Sequence, residues 1–281
     1  MDKIVILGAS GFIGSNINKY LIDKNFDVQG FSSNSCNLLE RSEINKLFSS
    51  IENDVSLIIC SAITRSTDDS LGSMIANIQM IDNILKEVKN NQLKNIIFMS
   101  SVDIYDVIND SKIINEHTPL RPAGYYGLSK LVCEHILNFS IFEIPVTILR
   151  LPGIYGNCDN YKSIIGRFVY NAVSQKEICI YNNGNMLRDY VEINDLCEII
   201  LHFIINPYNG PVNIVTGVSK SVREVAKIVL KKLNNGSVIT QKESASLSTD
   251  LVFDNDLIKS LLPKFKFTKL EKGIERYIET L

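Results

Sequence analysis

Tyr126 and Lys130 stand four residues apart in Tyr126-Gly127-Leu128-Ser129-Lys130. On a helix that spacing puts both side chains on one face, within reach of a common ligand. A carbonyl that receives hydride develops alkoxide character and needs a proton donor beside it, with another hydrogen bond to polarise the oxygen. A phenol can be that donor. An unperturbed tyrosine titrates near ~10, so a nearby cation is needed to favour the phenolate, and Lys130 is the one this spacing offers. In isolation a Tyr-x-x-x-Lys pair is a frequent accident. It gains weight from Ser101, just after the apolar run Ile96–Met99, at the carboxyl edge where open α/β sheets bind their ligands.

A second constellation lies near the start. Gly8-Ala9-Ser10-Gly11-Phe12-Ile13-Gly14 follows the run Ile4–Leu7 and opens a helical pattern, giving G-x-x-G-x-x-G in the setting a dinucleotide requires. Such glycines permit a tight turn, close approach of backbone to a pyrophosphate, and close packing of helix on strand, while the helix N-terminus supplies unpaired N–H groups. Gly8, Ser10, Gly11, Phe12, Ile13 and Gly14 are therefore candidate coenzyme residues. Where a carboxylate at the end of the second strand accepts the 2′-hydroxyl of an unphosphorylated ribose, this chain reads Phe31-Ser32-Ser33. Without that carboxylate a 2′-phosphate can sit near Ser32. The reading favours NADP(H), with NAD(H) open, although no Arg or Lys occurs between Lys24 and Arg41.

Positioning these groups takes a βαβ series. Ile4–Leu7, Val28–Phe31, Leu57–Cys60, Ile96–Met99 and Val146–Leu149 read as buried strands, and Phe12–Asp23, Arg41–Ile51, Ser73–Asn91 and Tyr125–Phe142 as crossover helices. That alternation predicts an α/β fold, a doubly wound parallel sheet, with a smaller C-terminal substrate-binding lobe. The expected division is residues 1–155 as the dinucleotide-binding domain, with about 193–216 returning to it, and 156–192 plus 217–281 as the lobe. Helical patterns at 194–205, 221–233 and 269–280 and a strand candidate at Val212–Val215 complete the chain.

With 281 residues, 45% hydrophobic and 21% charged, the chain can bury a large core. Its 29 basic and 31 acidic residues leave a net charge of −2, which argues against nucleic acid or an anionic membrane as partner. The early apolar run stops at Gly8, too short for a targeting or membrane segment, so the cytoplasm is expected. The six cysteines form no C-x-x-C pair and have no close His, so no metal site is read and packed, reduced thiols are expected.

Taken together, the glycine turn, Ser100-Ser101-Val102-Asp103-Ile104-Tyr105, Tyr126 with Lys130, Arg150-Leu151-Pro152-Gly153-Ile154-Tyr155-Gly156, and Arg188-Asp189-Tyr190-Val191 followed by Asp195-Leu196 resemble the extended short-chain dehydrogenase/reductase family, in its nucleotide-sugar epimerase and dehydratase branch. The resemblance spans most of the chain. It implies Tyr126 as acid/base, Ser101 as polarising partner, and Lys130 as a contact to the nicotinamide ribose. It also implies coenzyme contacts from Asn37, after a short third strand candidate, from Ser61 and Ala62, and from Pro152 and Ile154; Asn37 reads equally as a turn residue. Asn77 resembles a helix Asn that braces the active-site backbone, and Arg188 one that meets a substrate diphosphate. The dehydratases of the branch carry Asp-Glu where this chain has Val102-Asp103, which disfavours dehydration and leaves Asp103 as a substrate contact. The expected reaction is reduction of a 4-keto nucleotide sugar, with 4-epimerisation as the alternative and a non-catalytic NADP-binding sensor or scaffold as a reading from another class. A homodimer is implied as well.

Overall fold

Strands buried on both faces must be apolar throughout, and that is why the early runs pair. The computed structural model describes residues 2–88, 93–105, 113–140, 143–234, 239–242 and 249–281. It begins with β1 (Lys3–Leu7), α1 (Phe12–Asp23), β2 (Asp27–Phe31), α2 (Arg41–Ser50), β3 (Val55–Ile59), α3 (Leu71–Glu87) and β4 (Leu93–Ser101). A 3-10 turn over Val102–Tyr105, α4 (Tyr125–Ser140) and β5 (Val146–Leu151) follow, then β6 (Gly153–Tyr155), α5 (Ile164–Val173), β7 (Ile178–Tyr181), β8 (Leu187–Arg188) and β9 (Tyr190–Glu192). The chain continues through α6 (Ile193–Ile205), β10 (Gly210–Asn213), β11 (Lys220–Ser221), α7 (Val222–Leu233), β12 (Ile239–Lys242), α8 (Asp256–Leu261) and α9 (Leu270–Glu279).

Six strands form a sheet in the order β10-β5-β4-β3-β1-β2. β1 pairs in parallel with both β2 and β3, and β3 with β4. β1 and β3 are covered on both faces, whereas β2, at the edge, carries the polar Asp27 and Gln29. The architecture is the expected parallel α/β sheet with flanking helices.

The chain divides into two compact units. Unit 1 comprises Met1–Asp106, Pro119–Arg150 and Cys197–Val212, and unit 2 comprises Val107–Thr118, Leu151–Leu196 and Asn213–Leu281. One core of unit 1 joins Val5, Leu7, Leu57, Ile59, Ile96 and Phe98 of the sheet to Ile44, Ile81, Ile84 and Leu137 of the helices. In unit 2, Phe168, Val169, Val225, Val229, Ile274 and Tyr277 pack α5, α7 and α9 together. Its strands are short pairs: β6 with β9, β7 with β12, and β8 with β11.

Several boundaries differ from the sequence reading. α3 starts two residues early because Ser70 and Ser73 form a reciprocal capping box; residues 89–91 of the expected helix, and 141–142 of the next, lie outside the described residues. No further strand forms between β2 and Asn37. Ser35 Oγ accepts from Ser32 N and donates to Ser32 O, closing a turn there instead. The run Val212–Val215 is fully buried, yet only its first two residues belong to β10.

Candidate active site

Strand order reverses at β1, whose two neighbours are β2 and β3, and crossovers to opposite sides open a crevice beyond the carboxyl ends of such strands. A cavity of about 370 Å³ lies there, lined by Gly8, Ser10 and Gly11 of the first turn, Phe31 and Ser32 after β2, Cys36 to Leu39, and Cys60 to Ile63 after β3. It therefore gathers Gly8, Ser10, Gly11, Ser32, Asn37, Ser61 and Ala62 of the predicted coenzyme residues. Phe12, Ile13 and Gly14 do not line it; they form the first turn of α1 behind it.

Each glycine has its own reason. Gly8 sits at φ +89°, and a Cβ there would meet Ser61 N at 2.8 Å; the N–H groups of Gly8 and Ala9 both donate to Phe31 O, tying the turn to β2. At Gly14 a Cβ would meet Gly8 O at 2.2 Å, so close packing of α1 needs glycine. Gly11 is different: a Cβ would find only Gly8 O, at an ordinary 3.4 Å. Nothing in the chain forbids a side chain at Gly11, and a ligand approaching the backbone would. α1 also has no side-chain cap and no acid in its first turn, whereas α7 closes its N-terminus with a Ser221–Glu224 capping box. Unpaired N–H groups therefore face an approaching anion, and the residues present fit a dinucleotide.

At its β2 end the cavity wall holds neither a carboxylate nor a cation. Arg41, the first cation after β2, is bonded through Nε to Glu87 Oε1 at 2.6 Å. Asn37 fulfils its turn role, Oδ1 accepting from Leu39 N at 3.1 Å, while also lining the cavity.

Ser101 ends β4, and its Oγ accepts from Asp103 N at 3.1 Å, so the hydroxyl starts the 3-10 turn that carries Asp103. Lys130 comes from the buried face of α4; Nζ donates to Met99 O at 2.7 Å and lies 4.7 Å from the Phe98 ring centroid and 5.7 Å from that of Tyr126. The expected phenol–ammonium pair is therefore brought together on one helix. The charge relation differs from expectation. Burial pushes the Tyr126 phenol well above the usual tyrosine range, Asp103 raises it further, and the cation that opposes them is Arg65. Burial likewise lowers Lys130, against the pull of Cys133, Cys60 and Glu134. A phenol in this setting holds its proton at neutral pH.

Long-range bonds hold these side chains in place. Asn77 Oδ1 accepts from Ile63 N at 2.8 Å, and its Nδ2 donates to Ile63 O at 3.0 Å and to Ser129 Oγ at 3.3 Å. Asp69 Oδ1 accepts from Tyr126 N at 2.8 Å, capping α4 from a loop 57 residues away. Beneath them, Ser100 Oγ donates to Glu134 at 2.5 Å, Arg150 Nη2 bonds the same carboxylate at 2.8 Å, and Arg150 Nη1 donates to Tyr105 OH at 2.5 Å. This buried cluster joins β4, the 3-10 turn, α4 and β5. Arg65 and Asp69 were not singled out from the sequence, since a polar loop gives no local sign of what it will pack against.

In unit 2, Pro152 precedes β6, and Ile154 pairs with Val191 and is buried. Arg188 Nη1 donates to Leu187 O at 2.7 Å and Thr249 O at 2.6 Å, and neighbouring Asp189 accepts from Thr216 N and Gly217 N. A cavity of about 490 Å³ in this unit is lined by Lys220, Lys259, Lys266 and Lys269, with Glu271 as the one acid and Phe265 and Phe267 among its walls. All six cysteines are free. No helix among the described residues is long and apolar enough to cross a membrane.

A parallel sheet with a glycine turn and a cavity at its switch point is the arrangement of a Rossmann-type dinucleotide-binding fold. The chain belongs to the NAD dependent epimerase/dehydratase family, whose model matches residues 4–217. It is similar to GDP-6-deoxy-D-talose 4-dehydrogenase of Aggregatibacter actinomycetemcomitans, with 24% identity over 86% of this chain and 83% of that protein. In fold it is similar to two solved structures. UDP-glucose 4-epimerase of Thermus thermophilus in complex with NAD has TM-score 0.88 and 18% identity, covering 99% of this chain and 98% of that one. The Thermotoga maritima UDP-glucose 4-epimerase with UDP-glucose has TM-score 0.89 and 20% identity, with the same coverage.

Proposed function

We propose that this chain is an NAD(H)-dependent oxidoreductase of nucleotide sugars that reduces a 4-keto sugar, with Tyr126 as proton donor. The observation that carries the reading is the pairing of Tyr126 with Lys130 on α4, the ammonium 5.7 Å from the ring centroid, together with Ser101 at the end of β4. The likeness to GDP-6-deoxy-D-talose 4-dehydrogenase supports net oxidation–reduction at C4.

The coenzyme, when bound, supplies the hydride. Gly8, Ser10 and Gly11 would meet its pyrophosphate, with the first turn of α1 at Phe12 and Ile13 behind them and Gly14 letting that helix pack close, Ser32 and Asn37 its adenosine half, Ser61 and Ala62 the middle, and Lys130 the nicotinamide end. NAD(H) is preferred to NADP(H), because the cavity wall offers a 2′-phosphate no cation and the family and the Thermus relative are both described with NAD. Ser101 would polarise the carbonyl through its hydroxyl, and Asp103 would touch the substrate. The lysine-lined cavity of unit 2 would suit an anionic ligand.

A 4-epimerase is the second reading, favoured by the likeness of both solved relatives and by the absence of a 2′-phosphate partner. One experiment separates them. The purified chain is offered NADH with a panel of 4-keto nucleotide sugars, and NAD with their 4-hydroxy counterparts. Net loss of NADH absorbance with a reduced sugar as product supports the reductase; interconversion of sugars without net coenzyme change supports the epimerase. Binding of coenzyme with neither reaction would leave the sensor reading standing and sink the proposal.

A further inference from the structure

Arg65 lies in a segment anchored at both ends. Before it, Ile63 is held through N–H and carbonyl by the Asn77 side chain. After it, Asp69 caps α4 at Tyr126 N. Between these anchors Thr64 O accepts from Thr67 N at 2.8 Å and Asp68 N at 3.0 Å, and Thr64 Oγ1 lies within hydrogen-bond distance of Ser66 Oγ and Thr67 Oγ1. The turn so formed carries Arg65 next to its first residue, with Nη1 3.4 Å from Asp103 Oδ2. Asp103 is itself fixed, by the bond from its N–H to Ser101 Oγ.

We propose that Arg65 is a positioning residue of the active site: from the Thr64–Thr67 turn it supplies the positive charge that offsets Asp103 beside the Tyr126 phenol, and it acts on the reaction through that phenol. The inference rests on the proton-donor role given above to Tyr126. The groups acting on the phenol come from each packed element. Burial raises it most; Asp103 from the 3-10 turn and Cys133 from α4 raise it, and Arg65 from the loop after β3 lowers it. Lys130 directs its ammonium to Met99 O and the Phe98 face. Arg65, more exposed than Lys130, is the cation that opposes Asp103 at the phenol.

The test is direct titration of the phenol in the coenzyme-loaded chain. Tyrosine labelled with ¹³C at Cζ is followed by NMR against pH, the Tyr126 signal being identified by its loss in Tyr126→Phe. Arg65→Gln is expected to move the midpoint up by about one pH unit, Asp103→Asn to move it down by about as much, and Arg65→Lys to overlay the parent. Superimposable curves for Arg65→Gln, Asp103→Asn and parent would overturn the proposal, as would Asp103→Asn showing no titration below about pH 12. A chain that turns over no sugar would count against the function proposed above while leaving these curves to decide the role of Arg65.

Discussion

Burial is the dominant influence on Tyr126, and its sign decides what the residue can do. A phenol raised by desolvation and by Asp103 keeps its proton at neutral pH and gives it up less readily than a free tyrosine does. Replacing the hydroxyl while keeping the ring should therefore remove chemistry and little else. Tyr126→Phe is expected to lower turnover by at least ~100-fold with coenzyme affinity nearly unchanged, as read by steady-state rates and a coenzyme fluorescence titration; near-normal turnover would contradict the assignment. Ser101, Tyr126 and Lys130 were legible in the sequence because two share a helical turn and the third ends a recognisable strand. Their partners were not. Asp69 meets Tyr126 across 57 residues and Ser100 meets Glu134 across 34, and such pairings exist only once helix and sheet have packed. The charge balance was hidden for the same reason, since Arg65 lies in a loop whose destination no periodicity encodes.

The strand–turn–helix element divides its labour among three glycines that look equivalent in sequence. Gly14 is required by packing, Gly8 by its left-handed backbone and contact with Ser61, and Gly11 by neither. Gly14→Ala should therefore cost about 1–3 kcal/mol of stability through overpacking, read as a lowered unfolding midpoint. Gly11→Ala should move the midpoint far less than Gly14→Ala does, and Gly11→Val should lose coenzyme binding, because its branched side chain would occupy space the pyrophosphate needs. Loss of stability at Gly11, or retained affinity there, would mean that the turn is structural only. Elements of this kind were readable because two-sided burial forces an unbroken apolar run, as in Val55–Ile59. The two-residue strands β8 and β11 were not, since they pair too briefly to impose alternation on the sequence.

At the scale of the molecule, a net charge of −2 leaves little long-range repulsion between copies, so association depends on surface chemistry. Scattered exposed apolar residues need no explanation, but those of α3 and α4 fall on two helices packed side by side. Leu71 and Ile75 are one helical turn apart and 52% and 55% exposed, and Leu128 and Phe139 are exposed on α4. A second copy presenting the same helices would cover them by two-fold symmetry, which is the homodimer that the family resemblance implies and gives it a face. The double variant Ile75→Glu, Leu128→Glu places like charges where the two copies would meet and should shift the mass seen by light scattering from about twice 31.6 kDa to that of one chain. Coenzyme binding should persist, because neither residue lines the switch-point cavity. A parent chain that is already monomeric, or a double variant that still dimerises, would remove this face from consideration.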